Sequence, residues 1–237
     1  MISSRIYELS FIAIMTITVG CEQEPATTVD LPEIQYADPL IDIDNNVYMT
    51  VVIDSRIWMA ENLRVTKFND DVPVPSITDK DRWQNTSLPA YCWYNNDSIN
   101  NMLVFGALYN YRAVQTGMLC PVGWHVPSLE EWNTMIDYAG KYRTAGGKLK
   151  QKGTKLWAEP NTDATDDYGF NAVPGGMRRI LDGGKFVSVN TIAIWWCFDE
   201  ENAFFAFAKE IGSRSAKIES FSTTKRYGLS VRCIKDQ

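Results

Sequence analysis

The chain has 237 residues, 45% of them apolar and 12% aromatic, which supports a packed core and excludes intrinsic disorder. Asp and Glu number 29 against 23 Lys and Arg, for a formal net charge of −6. With no cluster of basic residues to neutralise phosphates, nucleic acid is excluded as a partner. A single histidine and five cysteines without a CxxC pair exclude an HExxH hydrolase and a zinc site of paired Cys and His ligands.

The opening MISSRIYELS carries one basic residue, Arg5, and leads into the apolar run FIAIMTITVG. That run falls far short of the ~20 residues a membrane-spanning helix needs, so residues 1–20 are read as an export signal. Thr18-Val19-Gly20-Cys21 follows, with small residues that fit a signal peptidase and a thiol to accept a diacylglyceryl group. The tetrad resembles a lipobox with Thr18 in place of the usual Leu, and Cys21 is the expected lipid-carrying first residue of the mature chain. Glu22 is not the Asp of inner-membrane retention, and Glu22-Gln23-Glu24 resembles the acidic tract that sends lipoproteins of Bacteroidetes to the outer surface. The expected location is therefore the outer membrane, lipid-anchored, at the cell surface. Export to an oxidising compartment leaves Cys92, Cys120, Cys197 and Cys233 as an even set for disulfides, with three connectivities open.

Residues 21–41 mix acids with Pro and Thr without a period and are expected to be a flexible tether, so that the folded domain covers 42–237. In VYMTVVI, alternation places Val47, Met49, Val51 and Ile53 on one face, and Asp54-Ser55 turns the chain into RIWMAENL, which makes an opening β-hairpin. Residues 66–101 are rich in Asp, Asn and Pro and read as long ordered loops. In GALYNYRAV, Leu108, Tyr111 and Arg112 suit a short helix.

The strongest local signal is Ser128-Leu129-Glu130-Glu131. Ser128 caps a helix over residues 128–139, and Glu131 returns a hydrogen bond to the cap amide. Leu129, Trp132, Met135, Ile136 and Ala139 share one helical face, which makes Trp132 core. Gly-Gly pairs at 146, 175 and 183 read as turns. From Phe186 onward FVSV, IAIWWCF, AFFAFAKE, RSAKIESF and YGLSVRCI predict an antiparallel meander, with Trp195 and Trp196 in the core. In the last strand Tyr227, Leu229, Val231 and Cys233 share a face. One strong helix, an opening hairpin and a terminal meander together imply an α+β domain.

Seven segments in order, VYMTVVIDSRIWMAENLR, PAYCWYNND, GALYNYRAV, CPVGWHVPSLEEW, AGGKLK, PNTDATDDYGFNAVPGGMR and KRYGLSVRCIKD, resemble the Fibrobacter succinogenes major paralogous domain. The family is common in exported proteins of Bacteroidetes and Fibrobacteres, and the resemblance covers most of residues 42–235. It departs at IAIWWCF, where the family places Ser or Thr after Trp, so Cys197 is outside the pattern. Residues 127–132, Gly175-Gly176 and 228–233 are also similar to landmarks of the C-type-lectin-like fold used by formylglycine-generating enzymes. That implies first and last strands that pair, and long loops that carry any binding surface. Cys120 and Cys233 both stand at recurrent motifs of the resemblance, which favours their pairing and leaves Cys92 with Cys197 by elimination.

Candidate chemistry is sparse. His125, between Trp124 and Val126 at a helix entrance, is expected to be structural. A formylglycine-type oxidase would need Cys197 with Cys233 as a reactive pair, and their apolar strand contexts argue for inert thiols. Glu159-Pro160-Asn161 copies the EPN triplet by which calcium-dependent lectins hold the ion and sugar hydroxyls, followed by Asp163, Asp166 and Asp167. Such hard oxygens are what calcium requires. Against calcium stands a plain polar turn, because the Trp-Asn-Asp partner strand of lectins is absent. Tyr91, Trp93, Tyr94 and Trp157 lie in loop-like segments beside Asn and Asp, which suits stacking on sugar rings, against the alternative that they form a satellite core. The expectation is a non-enzymatic surface binding or adhesion module for glycan or protein. The alternatives are an enzyme accessory or degenerate oxidase, and a structural component of a surface assembly.

Overall fold

The computed structural model describes residues 33–181 and 183–237. The expected signal, Cys21 and the first part of the tether lie outside the described residues. The tether does not extend to residue 41, because β1 (Tyr36–Ile41) pairs antiparallel with β2 (Val47–Ile53). Only Leu40 of β1 is buried, so this edge strand carries no alternation from which to read it. Pro39 sits where the register slips between Ala37 and Leu40, as befits a strand with a free edge.

The predicted hairpin is present, and β2 turns into β3 (Arg56–Met59) through Asp54 and Ser55. Both have positive φ, 49° and 61°, the signature of a type I′ turn that matches strand twist. The expected facing holds only for Val51 and Ile53. Val47 and Met49 are exposed, while Tyr48 is buried between the Asp42 carboxylate, 2.6 Å from its hydroxyl, and the Arg64 guanidinium, 4.2 Å over its ring.

The stretch expected as loops holds α1 (Lys80–Asn85), β4 (Tyr91–Cys92) and α2 (Ser98–Phe105). Each helix is signalled only by its capping aspartate, Asp79 accepting from the Arg82 amide at 2.8 Å and Asp97 from that of Asn100 at 3.1 Å. Leu108 belongs to β5 (Leu108–Tyr109), and the short helix begins after it as α3 (Tyr111–Val114). After β6 (Trp124–His125) comes α4 (Leu129–Tyr138), with the full reciprocal capping box between Ser128 and Glu131. Gly146 and Gly147 form no turn but lie in α5 (Ala145–Leu149). A Cβ on either would stand 2.5 Å from a backbone oxygen, of Lys217 and Asp163 respectively, so close packing requires both glycines.

The rest is β7 (Met177–Arg178), β8 (Phe186–Val187), β9 (Ile192–Glu200), β10 (Phe205–Gly212), β11 (Ile218–Thr224) and β12 (Ile234–Lys235). Of the predicted five-strand meander only β9, β10 and β11 form one sheet, while β8 pairs with β7. β12 enters a five-stranded sheet of order β1-β2-β3-β12-β6, so the last strand joins the sheet of the first but pairs with β3 and β6, not with the first strand as the resemblance implied. The strands pair antiparallel and, with the short helices, make an α+β domain.

The segment leading into β12 threads the middle of the molecule. It bridges β7 at Gly228, β5 at Leu229 and β9 at Ser230 before reaching β3 and β6. Both faces of this thread are therefore buried, not only the one carrying Tyr227, Leu229, Val231 and Cys233. Trp58, Trp132, Phe170 and Trp195 pack into one aromatic cluster beside it, with ring centroids 5.2 Å to 6.2 Å apart.

The long connections are held by buried cations that donate to their carbonyls. Arg232 reaches the carbonyls of Met59, Phe170 and Asn171 and the side-chain oxygen of Asn62, while its guanidinium lies 4.0 Å over the Phe170 ring. Arg178 donates to Ile77, Thr78 and Gly184. Lys150 donates to Thr162, Gly212 and Ser215, and burial lowers its pKa to about 8. A loop carbonyl removed from water needs such a partner, and one planar guanidinium serves several.

Candidate functional site

The site worth building is a cavity of about 420 Å³ where α4 crosses the end of the five-stranded sheet. Its apolar walls are Ile53, Trp58, Val126, Met135, Phe198 and Ile234, and its polar rim is Asp54, Arg56, His125, Ser128, Glu130, Glu131 and Thr134. The hairpin supplies Ile53 to Trp58 by strand alternation, β6 supplies His125, and the capping box fixes Glu131 at the first turn of α4.

Glu131 organises the rim. Its carboxylate accepts from the Ser128 amide at 2.9 Å and from Arg56 Nη2 at 2.9 Å, and lies 3.0 Å from His125 Nε2. The other ring nitrogen of His125, Nδ1, is 2.5 Å from Asp236 Oδ1. Burial pushes the Glu131 carboxyl up, but the Ser128 amide, His125 and Arg56 together outweigh it and hold the group below its ordinary value. Both imidazole nitrogens face carboxylates and Ser128 Oγ is bound into the helix cap, so His125 is a clasp between α4 and Asp236. Phe198 is the aromatic left open at the rim, 43% exposed.

The sequence pointed elsewhere. Of the four aromatics expected to stack on sugar, Tyr91, Tyr94 and Trp157 are buried and Trp93 is half-buried, and none lines this cavity. Trp157 donates to the Ala172 carbonyl at 2.9 Å, Tyr94 packs on Phe186, and Tyr91 meets Trp93 edge to face at 5.4 Å. Tyr91, Tyr94 and Trp157 are core, and Trp93 packs half-buried against it.

The residues of the EPN triplet and the aspartates after it are engaged differently. Asn161 is buried and its amide donates to the carbonyls of Gln151 and Gly153, which shapes the turn. Glu159 and Asp163 are exposed, while Asp166 accepts from the Asn171 amide at 2.8 Å. Among the described residues no three carboxylate, imidazole or thiol groups gather as a metal site, Glu159, Asp163, Asp166 and Asp167 included.

Cys120 and Cys233 form a disulfide, with Cα atoms 6.0 Å apart. The complementary pair is not formed. Cys92 lies in a small cluster with Trp83 and Leu108, and Cys197 in the large one around Trp58 and Trp195. Burial pushes both thiols up to about 12. With Cys233 bonded to Cys120 and Cys197 sealed in the core, the cysteine pair a formylglycine-type oxidase would need is not assembled.

What sequence reading missed was the rim itself. Arg56 and Asp236 stand in segments of the family resemblance but carry no chemical motif of their own, and Glu131 is legible only as a helix cap. The i, i+2 spacing of Arg56 and Trp58 in RIWM was the available signal that both border one region. In comparisons with known proteins, a family model described as the Fibrobacter succinogenes major domain matches residues 51–235. No curated protein and no solved structure matches.

Proposed function

The chain belongs to the Fibrobacter succinogenes major domain family, and from that footing we propose that it is a non-enzymatic, exported lipoprotein whose domain binds a protein partner at the cavity beside α4. The observation that carries this reading is an apolar-floored cavity of about 420 Å³ with a polar rim already fixed by its own hydrogen bonds. Ligand sites are typically about 300–1,000 Å³ with few, well-placed polar groups. A rim held in place loses little freedom on binding, which favours affinity. The walls suit an aromatic or aliphatic side chain as anchor. Protein is preferred to glycan because three of the four aromatics that would stack on a sugar, Tyr91, Tyr94 and Trp157, are packed inside and none lines this cavity.

On the same reading Cys21 tethers the domain by lipid to the outer membrane, facing outward. The fold is taken as C-type-lectin-like, supported by β12 pairing with β3 and by the long loops between. A displayed peptide library panned against the purified chain tests the binding reading, with Thr134→Trp as counter-screen. Thr134 is exposed on α4 at the cavity rim, so an indole there blocks the cavity without disturbing the core. Enriched peptides are expected to share an apolar anchor and to lose roughly tenfold or more in affinity for the variant. Peptides indifferent to Thr134→Trp would overturn the site, and undiminished binding of that variant on a glycan array would overturn the choice of partner.

A further inference from the structure

We infer that a second cavity, between α3 and the turns that flank β10 and β11, is a binding site for an acidic peptide segment, a carboxylate beside an apolar side chain. The cavity is about 190 Å³, and Arg112, Lys225 and Arg226 line it together with Ile180, Phe204 and Thr224. No carboxylate of the described residues stands in its lining, on a chain whose net charge is −6. With Lys225 neutralised by Glu200, the positive charge offered to a ligand rests on Arg112 and Arg226.

The three cations differ in how far they are already satisfied. Lys225 is buried, pairs with Glu200 at 2.9 Å and lies over the Tyr111 ring, so it belongs to the fold. Its backbone amide donates to the Phe204 carbonyl at 3.0 Å and sets the wall. Arg112 is half-buried and reaches only the side-chain oxygen of Gln115, at 3.2 Å. Arg226 is exposed and makes no ion pair among the described residues, although its backbone is fixed because its carbonyl accepts from Trp83 Nε1 at 3.0 Å. Arg178 and Arg232, by contrast, direct their donors inward to carbonyls. Two guanidiniums on a fixed backbone, each with donors left over, match the paired oxygens of a carboxylate.

Phe204 decides the rest of the ligand. It is 75% exposed at the cavity wall, with Ile180 also in the lining. The pair offers apolar contact without donors or acceptors for hydroxyl groups, which favours an acidic residue next to an apolar one over an anionic sugar.

Acetyl-Phe-Glu-amide and its neutral isostere acetyl-Phe-Gln-amide, titrated into the isotopically labelled chain and followed by amide NMR shifts, test the proposal. The acidic dipeptide is expected to give saturable shifts at residues 112, 180, 203–204 and 224–226, weakening with salt, while the isostere gives none there. Arg112→Gln and Arg226→Gln should each weaken binding roughly tenfold, as expected for loss of a charge-assisted contact. Thr134→Trp should leave this binding unchanged, which separates this site from the cavity beside α4. Equal shifts from both dipeptides, or an affinity untouched by Arg226→Gln, an exposed position whose change does not threaten folding, would overturn it.

Discussion

Removing the Cys120–Cys233 bond, by the double substitution to Ala, should destabilise the domain by close to the full entropic value of a long loop. The bridged residues are 113 apart in sequence. Closing a loop of that length in the unfolded chain removes about 16 cal/mol/K, or about 4.8 kcal/mol at 25 °C. The native state should contribute little strain relief, because Cys233 is held by the thread: its carbonyl accepts from the Met59 amide at 3.1 Å, and both sulfurs are buried. Since a domain of this kind is stable by only about 5–15 kcal/mol, the variant should be marginal at body temperature. Equilibrium denaturant unfolding measures the difference, and thiol counting on the native protein checks its premise. No thiol should react before unfolding, and two, Cys92 and Cys197, should react in denaturant without reductant, since both are free and buried. A third would show that Cys21 carries no lipid. A stability loss under ~1 kcal/mol, or four reactive domain thiols, would refute the reasoning.

Arg232→Met should be comparably damaging, since the carbonyls of Phe170 and Asn171 lose their donor inside the core. At about 1–3 kcal/mol for each unsatisfied acceptor, the loss is roughly 2–6 kcal/mol, measurable by denaturant midpoint and contradicted by a change under ~1 kcal/mol. Asp166 gives a pH dependence. Burial raises its carboxyl to about 6, against the pull of the Asn171 amide and Arg232. Between about pH 4 and 6 the folded state thus holds a proton that the unfolded chain has released, and this group's contribution to stability falls as pH rises through that window. Asp166→Asn should therefore gain on the wild type by about 1–3 kcal/mol between pH 4 and pH 7, and a stability difference constant with pH would refute the assignment.

Local signals survived folding where the interaction is local. The Ser128–Glu131 box and the Asp54-Ser55 turn lie within a few residues and appear as read. Tyr48 shows the opposite case, because alternation cannot tell which face of β2 will meet Asp42 and Arg64. α1 and α2 are not legible as helices because each is short and buries a single apolar side chain, Trp83 and Phe105, while Ile99 and Leu103 stay exposed. The aromatic loop residues misled for a related reason: composition marks a ring as useful, but only packing decides whether its face is open.

The sequence by itself determined the family, the α+β class and the main helix, since each is written in motif order or short spacing, while it left three cysteine connectivities open and only the family resemblance favoured Cys120 with Cys233. Tertiary structure alone decided that the last motif is a central thread, that Cys92 and Cys197 stay apart, and that Arg56, Trp58, His125 and Glu131 meet around one cavity with Asp236 against His125. These residues are far apart in sequence, and they meet because β12 pairs with β3 and β6.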